Sequence, residues 1–344
     1  MAENVRENAP AASDDAPFAP GAPAPGSTRP APDSRKVGIV GCGFVGSASA
    51  FALMQSGLFS EMVMIDVDRD RAEGEALDIA HGMPLASPAN IYAGDYADLA
   101  DAGIVIVTAG ANQKPGETRL DLVSKNVAIF GSIVPSIMAS GFSGIMLVVS
   151  NPVDILTYVA LKLSGLPANR VIGSGTVLDT ARFKYVLGEH LGVDPRNVHA
   201  RIVGEHGDSE IAIWSLANVS GIPIDVFSKL RGREHSPEVM ARIEADVKNS
   251  AYEIIEKKHA TYFGIAMSVK RICEAIVRDE KPILPVSNLM EGEYGISDIA
   301  LSMPAVIGAG GVEYKVPAPF SDDEQARLRD SAAVLKGIVD KLDL

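Results

Sequence analysis

The fold is decided by residues 36–46, which read Lys36-Val37-Gly38-Ile39-Val40-Gly41-Cys42-Gly43-Phe44-Val45-Gly46. The first five residues predict a buried strand, and the glycines that follow have the spacing G-x-G-x-x-G. In such a turn Gly41 permits the tight bend, Gly43 lets a pyrophosphate touch the backbone, and Gly46 lets helix and strand pack closely. The stretch therefore predicts a dinucleotide-binding turn.

The sequence after the glycines completes this pattern. A helix is predicted at residues 47–55 and a second strand at 62–65, which ends in Asp66, 20 residues after Gly46. The N-terminus of the helix offers free N–H groups and a positive dipole end to phosphates. The Asp66 carboxylate is suited to accept hydrogen bonds from both ribose hydroxyls and to repel a 2′-phosphate, which favours NAD over NADP.

Strands alternate with helices through the rest of the first half. Further strands are predicted at residues 91–92, 104–108, 145–149 and 171–172, and helices at 69–81, 120–139 and 153–163. This alternation predicts an α/β fold, a Rossmann-type doubly wound parallel sheet with helices on both faces. Gly43, Gly110 and Asn151 fall at the carboxyl ends of strands, where ligands bind in such sheets.

The second half has a different pattern. Helices are predicted at residues 176–191, 237–257, 261–277 and 322–342, with short strands at 211–214, 222–224, 283–286, 300–304 and 306–307. This mixture indicates a C-terminal α+β substrate domain. We therefore predict a disordered tail at 1–34, an NAD-binding domain at 35–172 and a catalytic domain at 173–344.

Composition narrows the class of protein. The 344 residues carry a net charge of −13, which argues against a nucleic-acid partner. Residues 1–34 hold seven of the 21 prolines and lack both the apolar core of a signal peptide and a basic character. Residues 37–54 are uncharged, but the glycine pattern explains them better than a membrane span does. The two cysteines form neither a disulfide framework nor a zinc cluster, so we assign no metal and expect a cytoplasmic protein.

A single histidine lies between two glycines at residues 204–208, which read Gly204-Glu205-His206-Gly207-Asp208. Histidine exchanges protons near neutral pH because its unperturbed pKa is about 6.5. Asp179 and Arg182 are three residues apart and share one face of a predicted helix. Each feature alone is more typical of a structural histidine or a surface ion pair, so their meaning depends on the rest of the chain.

From Lys36 to the C-terminus the chain resembles the lactate/malate dehydrogenase superfamily, and within it the NAD-dependent L-lactate dehydrogenases. The matching stretches are 41–46 with Asp66, 109–119, 151–154, 179–182, 204–208 and 260–262. The resemblance implies a homotetramer that reversibly transfers a hydride between NADH and pyruvate to give L-lactate, the last step of lactate fermentation. Two alternatives stay open: a malate or other 2-hydroxy acid dehydrogenase of the same fold, and a non-catalytic dinucleotide-binding protein.

The resemblance gives the charged residues their roles. His206 would donate a proton to the pyruvate carbonyl oxygen and take it back when lactate is oxidised. Asp179 would hold the imidazole and favour its charged form, and Arg182 would bind the substrate carboxylate bidentately. A protein without turnover would gain nothing from this set, which speaks against the non-catalytic alternative.

A lid is implied at residues 111–118, closing over the substrate to exclude water. After it, Arg119 would polarise the carbonyl, while Asn151 and Thr261 would contact the substrate. Malate dehydrogenases of the superfamily carry arginine in place of Gln113, to pair the second carboxylate of oxaloacetate. A neutral amide leaves that carboxylate unpaired, so Gln113 indicates pyruvate rather than oxaloacetate.

The resemblance also implies cofactor and effector contacts. The cofactor residues would be Gly41, Gly43, Val45, Gly46, Asp66, Arg71, Tyr96, Gly110, Ala111, Ser132, Val149 and Asn151. Bacterial relatives often bind fructose 1,6-bisphosphate at a subunit interface through an arginine and a histidine. Here the histidine matches His199, but Lys184 stands at the arginine position, which keeps the charge without the bidentate fork. His259 stands where relatives often have glycine.

Overall fold

The structure is a computed structural model that describes residues 35–111 and 119–342, and of Arg119 and Leu120 it describes the backbone alone. The predicted tail at 1–34 therefore lies outside the described residues. The same holds for residues 112–118 of the predicted lid, including Gln113.

Strands and helices are numbered in chain order. The strands are β1 Lys36–Val40, β2 Glu61–Ile65, β3 Asn90–Ala93, β4 Ile104–Val107, β5 Ile145–Val148, β6 Val171–Gly173, β7 Val198–His199, β8 Ile202–Val203, β9 Ile211–Ala212, β10 Asn218–Val219, β11 Ile222–Pro223, β12 Ile283–Glu291, β13 Ser297–Gly308 and β14 Gly311–Lys315. The helices are α1 Phe44–Ser56, α2 Arg69–His81, α3 Arg119–Ala139, α4 Val153–Ser164, α5 Val177–Leu191, α6 Ile224–Leu230, α7 Pro237–Lys258, α8 Phe263–Val277 and α9 Asp322–Val339.

Nine strands form one sheet in the order β14-β13-β12-β6-β5-β4-β1-β2-β3. The strands from β3 to β6 are parallel, and β1 lies beside β4 with Ile39 opposite Ile106. Strand order changes direction between β1 and β4, which is where open sheets of this kind bind ligands. The turn at Gly41 therefore lies at the expected binding edge.

Helices cover both faces of this sheet. Along β4, Ile104 and Ile106 face a core shared with α1, α2 and α8. The alternate residues Val105 and Val107 face a second core shared with α3, α4 and α9. All four side chains are at most 1% exposed, which explains why the strand is apolar throughout. The predicted fold class is confirmed.

Among the described helices, α3 alone is long and apolar enough to cross a membrane, with a mean hydropathy of 1.5 over Asp121–Ala139. Its residues Val123, Phe130 and Val134 are fully buried in the core on one face of the sheet. The core helix of a globular domain has the same length and composition, so this helix is weak support for a membrane span.

A third core lies between α5, α7 and the short strands β7 to β10, around Phe183, Val219 and Ile243. The sequence predicts a strand at residues 222–224, but the strand ends at Pro223 and α6 begins at Ile224. Proline has no N–H for a strand ladder and leads readily into a helix, whose first turn here carries an acidic residue.

Strand β13 also differs from the prediction. The sequence predicts two strands at residues 300–304 and 306–307, but one continuous strand covers both. Pro304 lies opposite Pro285 of β12, so both missing N–H groups fall at one position of the ladder. Strand β14 is not predicted, and α9 ends at Val339 rather than at residue 342. Because β12 to β14 extend the sheet begun by β1 to β6, the sheet crosses the predicted domain boundary, and that boundary stays a prediction.

His259 caps the C-terminus of α7 in the left-handed conformation, with φ of 66°, and its N–H donates to the Ile255 carbonyl oxygen at 2.7 Å. A residue with a Cβ pays roughly 1–2 kcal/mol for this conformation, whereas glycine adopts it freely. The position therefore favours glycine for a conformational reason, in agreement with the glycine that the resemblance implies there.

We expect His259→Gly to stabilise the protein by about 0.5–1 kcal/mol, after subtraction of the larger chain entropy of glycine in the unfolded state. Urea unfolding at neutral pH measures the change. His259→Ala retains the Cβ and serves as the control. An equal gain from alanine would show that the imidazole, rather than the backbone conformation, is the source of strain.

Candidate active site

His206 lies in the loop between β8 and β9. The loop is docked on β13 through two hydrogen bonds between Gly204 and Ser302, with N···O distances of 2.9 and 3.0 Å. The His206 N–H donates to Oδ2 of Asp154 at 2.7 Å, and this carboxyl group is fully buried on α4. The backbone of the histidine is therefore held by both β13 and α4, independently of the contacts of its side chain.

Asp179 joins His206 to Arg182. Nδ1 of His206 lies 2.5 Å from Oδ2 of Asp179, and Nη1 of Arg182 donates to Oδ1 of the same carboxylate at 2.8 Å. The Asp179 side chain is 3% exposed, and it lies in the first turn of α5, where the helix dipole favours a negative charge. The structure thus brings these three residues together, and the roles predicted for them stay predictions.

Helix α5 is itself bonded to the strand that leads to His206. The Thr176 hydroxyl donates to the Ile202 carbonyl oxygen at 2.6 Å, and the Ile202 N–H donates to the Thr180 hydroxyl at 2.9 Å. These bonds fix the start of α5 against β8. They therefore set the distance between the carboxylate and the imidazole.

The charge of Asp179 controls the protonation of His206. Burial lowers the pKa of His206, but the charge of Asp179 and its hydrogen bond raise it, with smaller contributions from Asp154 and Glu210, to about 9. Burial would raise the pKa of Asp179, yet the charges of His206 and Arg182 hold it below its ordinary value. At neutral pH the site therefore holds an imidazolium beside a carboxylate, a proton donor ready for an incoming acceptor.

A cavity of about 80 Å³ opens beside His206. Five residues of the predicted site line it: the catalytic His206, and Val45, Val149, Asn151 and Thr261, which were assigned to substrate or cofactor. The remaining lining comes from the turn before α5 and from two apolar side chains, and consists of Ser174, Gly175, Leu178 and Ile265. The structure thus brings together residues from both halves of the chain around one small space.

The glycine turn fits a dinucleotide. Gly41 has φ of +105°, and a Cβ on Gly46 would lie 1.9 Å from the Gly41 carbonyl oxygen, so both positions require glycine. A Cβ on Gly43 would meet nothing within 4 Å, which leaves an open approach to the backbone at the start of α1. Asp66 accepts the Cys42 N–H at 2.6 Å and the Asp68 N–H at 3.0 Å, so its carboxylate is held at the end of β2.

The other predicted cofactor residues lie on helices and loops around the sheet. Burial and the charge of Asp66 raise the pKa of Tyr96, which places the phenol near that carboxylate. Arg71 is exposed in the first turn of α2, and Ser132 is exposed on α3. Gly110 follows β4, and a Cβ there would lie 3.4 Å from Oδ1 of Asn126.

Asn126 joins two of the predicted loops. Its Oδ1 accepts the Ala111 N–H at 2.7 Å, and its Nδ2 donates to the Asn151 carbonyl oxygen at 2.7 Å. Sequence reasoning missed this buried amide of α3, although a polar residue in an apolar helix was a usable signal. It also assigned no role to Asp154, which ends the matching stretch 151–154, or to Glu210, which lies two residues after the stretch 204–208.

The two predicted effector residues, Lys184 and His199, differ in how far they are exposed. Lys184 is half-buried on α5, and its pKa is lowered by burial and by the positive charge of Arg201. His199 is exposed on β7. Arg201, which sequence reasoning did not select, therefore adds a second cation close to Lys184.

Two matches to family models cover nearly all of the described chain. Residues 35–173 match the lactate/malate dehydrogenase NAD-binding domain, and residues 176–343 match the alpha/beta C-terminal domain of the same family. The chain belongs to the lactate/malate dehydrogenase family. The family and the NAD cofactor inferred from the sequence are thereby confirmed.

Similar proteins agree with this placement. The chain is 54% identical over 310 residues to an L-lactate dehydrogenase of Acetivibrio thermocellus, covering 90% of this chain and 98% of that one. It is 51% identical over 309 residues to an L-lactate dehydrogenase of Thermoanaerobacterium saccharolyticum, covering 90% of this chain and 99% of that one. The ligand-bound minor L-lactate dehydrogenase of Enterococcus mundtii is a structural neighbour, with a TM-score of 0.88 and 47% identity. The match covers 91% of this chain and 99% of that one.

The family does not by itself assign roles to single residues. Gln113 and most of the predicted lid lie outside the described residues, and Arg119 begins α3 with a side chain that is outside them as well. The roles given to the other site residues stay predictions.

We expect Asp179→Asn to lower the pKa of His206 from about 9 to 6.5 or below, because burial persists while the negative charge is lost. NMR titration of histidine-labelled protein measures this pKa, with the exposed Asp194→Asn as control. A fall of less than about one unit would show that another group holds the proton.

Because the folded pKa of His206 exceeds the unfolded value, its contribution to the stability of the folded protein is complete below pH 6.5 and is lost as pH rises to about 9.

Proposed function

We propose that this protein is an NAD-dependent L-lactate dehydrogenase that interconverts pyruvate, NADH and a proton with L-lactate and NAD. The observation that carries the proposal is the pair formed by the buried Asp179 and the partly exposed His206, beside a small cavity that Asn151 and Thr261 also line. Relatives named L-lactate dehydrogenase, at 51–54% identity over about nine tenths of the chain, support the same reaction.

Each site residue has one role in the proposed reaction. His206, held by Nδ1, presents its other ring nitrogen, Nε2, as the proton donor to the carbonyl oxygen of the substrate. Arg182 uses one N–H group on Asp179 and retains others for the substrate carboxylate, in the planar geometry that lysine lacks. Arg119 polarises the carbonyl. NADH, when bound along the glycine turn, supplies the hydride.

We also propose a homo-oligomer, a tetramer by resemblance, located in the cytoplasm. An exposed aromatic surface supports association: Phe44 is 70% exposed and stacks on Tyr262 at 5.3 Å, and Phe263 beside it is 67% exposed. Met267, one turn further along α8, is also exposed. Contiguous apolar surface of this kind is typical of protein interfaces.

The proposed effector is fructose 1,6-bisphosphate, bound through Lys184 and His199. The nearby charge of Arg201 supports an anion site, because burial of two cations together is unfavourable until a phosphate pairs them. Steady-state kcat/KM for pyruvate and oxaloacetate, each with and without fructose 1,6-bisphosphate, tests the reaction and the effector in one set of assays.

We expect NADH to exceed NADPH in kcat/KM by about hundredfold or more, since the charge of Asp66 facing a 2′-phosphate costs about 3 kcal/mol. Asp66→Ser should reduce the preference to below about tenfold. Asp68→Ser is the matched control, because it removes the same charge two residues away and keeps a side chain that caps α2. Equal use of both cofactors by the wild type would refute the role of Asp66.

We expect Gln113→Arg to change the pyruvate-to-oxaloacetate preference by about thousandfold, or about 4 kcal/mol, because arginine pairs the second carboxylate in a water-poor site. The neutral Gln113→Met is the control and should leave oxaloacetate disfavoured. The ratio of the two kcat/KM values measures the effect. A shift below about tenfold would mean that Gln113 does not touch the substrate, and the choice of lactate over malate would lose its main physical support.

A further inference from the structure

A third ionisable side chain lies against the Asp179–His206 pair. Glu210 closes the histidine loop immediately before β9, and it is 5% exposed. A carboxylate oxygen of Asp179, a ring nitrogen of His206 and a carboxylate oxygen of Glu210 all lie within 4.8 Å of one another. A buried carboxyl group at this distance acts on the imidazole through a poorly screened interaction.

The charges that face this group come from several elements. Asp179 and Arg182 face it from α5 and Lys248 from α7, while the charge of Asp154 on α4 acts on His206. Lys248 is also bonded to the Asp208 carbonyl oxygen at 2.9 Å, which holds its ammonium group at the loop.

These surroundings make Glu210 titrate in an unusual range. Burial and the charge of Asp179 raise its pKa, while the charges of His206, Lys248 and Arg182 lower it, to give about 8. The histidine beside it has a pKa of about 9. Both groups therefore exchange protons in alkaline solution, and the charge of each affects the titration of the other.

We propose that Glu210 is a positioning residue for the proton of His206: once ionised, it holds the imidazole in its charged form and so favours reduction of the 2-oxo acid in alkaline solution. The proposal rests on the proposed function, because reduction needs the charged imidazole and oxidation needs the neutral one. In reduction the proton leaves Nε2 for the substrate oxygen, and the hydride comes from NADH. Glu210 itself does not touch the substrate and changes only how firmly His206 keeps its proton.

The variants for the test are Glu210→Gln, which removes the charge and keeps the shape, and Glu210→Asp, which keeps the charge. Glu238→Gln, an exposed acid on α7, changes the net charge equally and is the control. We expect the pKa of His206 in Glu210→Gln to fall by about one unit or more. Glu210→Asp should recover most of this shift, and the control should not move it.

The pH profile of pyruvate reduction gives a second readout. Below pH 7 Glu210 is protonated, so Glu210→Gln and wild type should have the same kcat/KM. At pH 9 a fall of one pKa unit takes the charged fraction of His206 from about one half to about one tenth, so kcat/KM should fall about fivefold. A purely structural loss would lower activity equally at every pH.

The pKa of His206 is read by NMR of histidine-labelled enzyme without substrate, and its signal is identified among the six histidines by its absence from His206→Gln. This readout does not depend on turnover. Normal reduction of pyruvate with a pKa shift below about 0.3 unit in Glu210→Gln overturns the role of Glu210 alone. Absent turnover in the wild type, with the pKa shift present, overturns the proposed function instead.

If Glu210→Gln does not fold, the wild-type enzyme still provides a test. Carboxyl labelling of glutamate reports the ionisation of Glu210, and the His206 signal is followed through the same titration. We expect a step in the His206 signal at the pH where Glu210 ionises. A His206 titration with no such step overturns the proposal.

Discussion

The hydrogen bond between Asp179 and His206 is the constraint on which the site depends. A carboxylate that is 3% exposed is costly to ionise unless cations and N–H groups surround it, and here an imidazolium, a guanidinium and a helix N-terminus do so. The result is mutual: the carboxylate keeps the imidazole charged, and the imidazole keeps the carboxylate ionised. Removal of His206 leaves the buried carboxylate paired with Arg182, and removal of Asp179 leaves Nδ1 of the imidazole without this hydrogen-bond partner.

The position of His206 also depends on elements on several sides of its loop. His206 is held by Asp154 on α4 and Asp179 on α5, and its loop pairs with Ser302 on β13. These contacts come from positions up to 148 residues apart in the sequence, between Asp154 and Ser302. The apolar strands of the sheet bring the segments together, and the polar contacts then fix the distances between them.

Sequence reasoning succeeded where one physical pattern dominates. Helix α2 has the predicted bounds because Asp68 caps it and its apolar face is regular. The glycine turn and the chain-order pattern around it gave the fold and the cofactor, and the family is confirmed. The prediction of a strand over residues 222–224 was wrong at its end, because these residues are apolar whether they form a strand or begin a helix.

The site was harder to predict because its missed members act through contacts between distant segments. Asn126 and Glu210 have no motif of their own, and their meaning comes from a loop carbonyl group and from a buried carboxylate far away in sequence. No local periodicity encodes such a partnership. The substrate choice placed on Gln113 remains a prediction, since that residue lies outside the described part of the chain.

The continuity of the nine-stranded sheet has a consequence for evolution by domain exchange. Strand β12 pairs with β6 at Ser287 and Gly173, so the nucleotide-binding half ends in a strand whose outer edge is covered by the other half. Separated there, the first half would expose unpaired backbone groups of β6 and become prone to aggregation. The two halves are therefore poor modules for recombination, and new specificities in this architecture are reached more readily by substitution within loops than by exchange of halves.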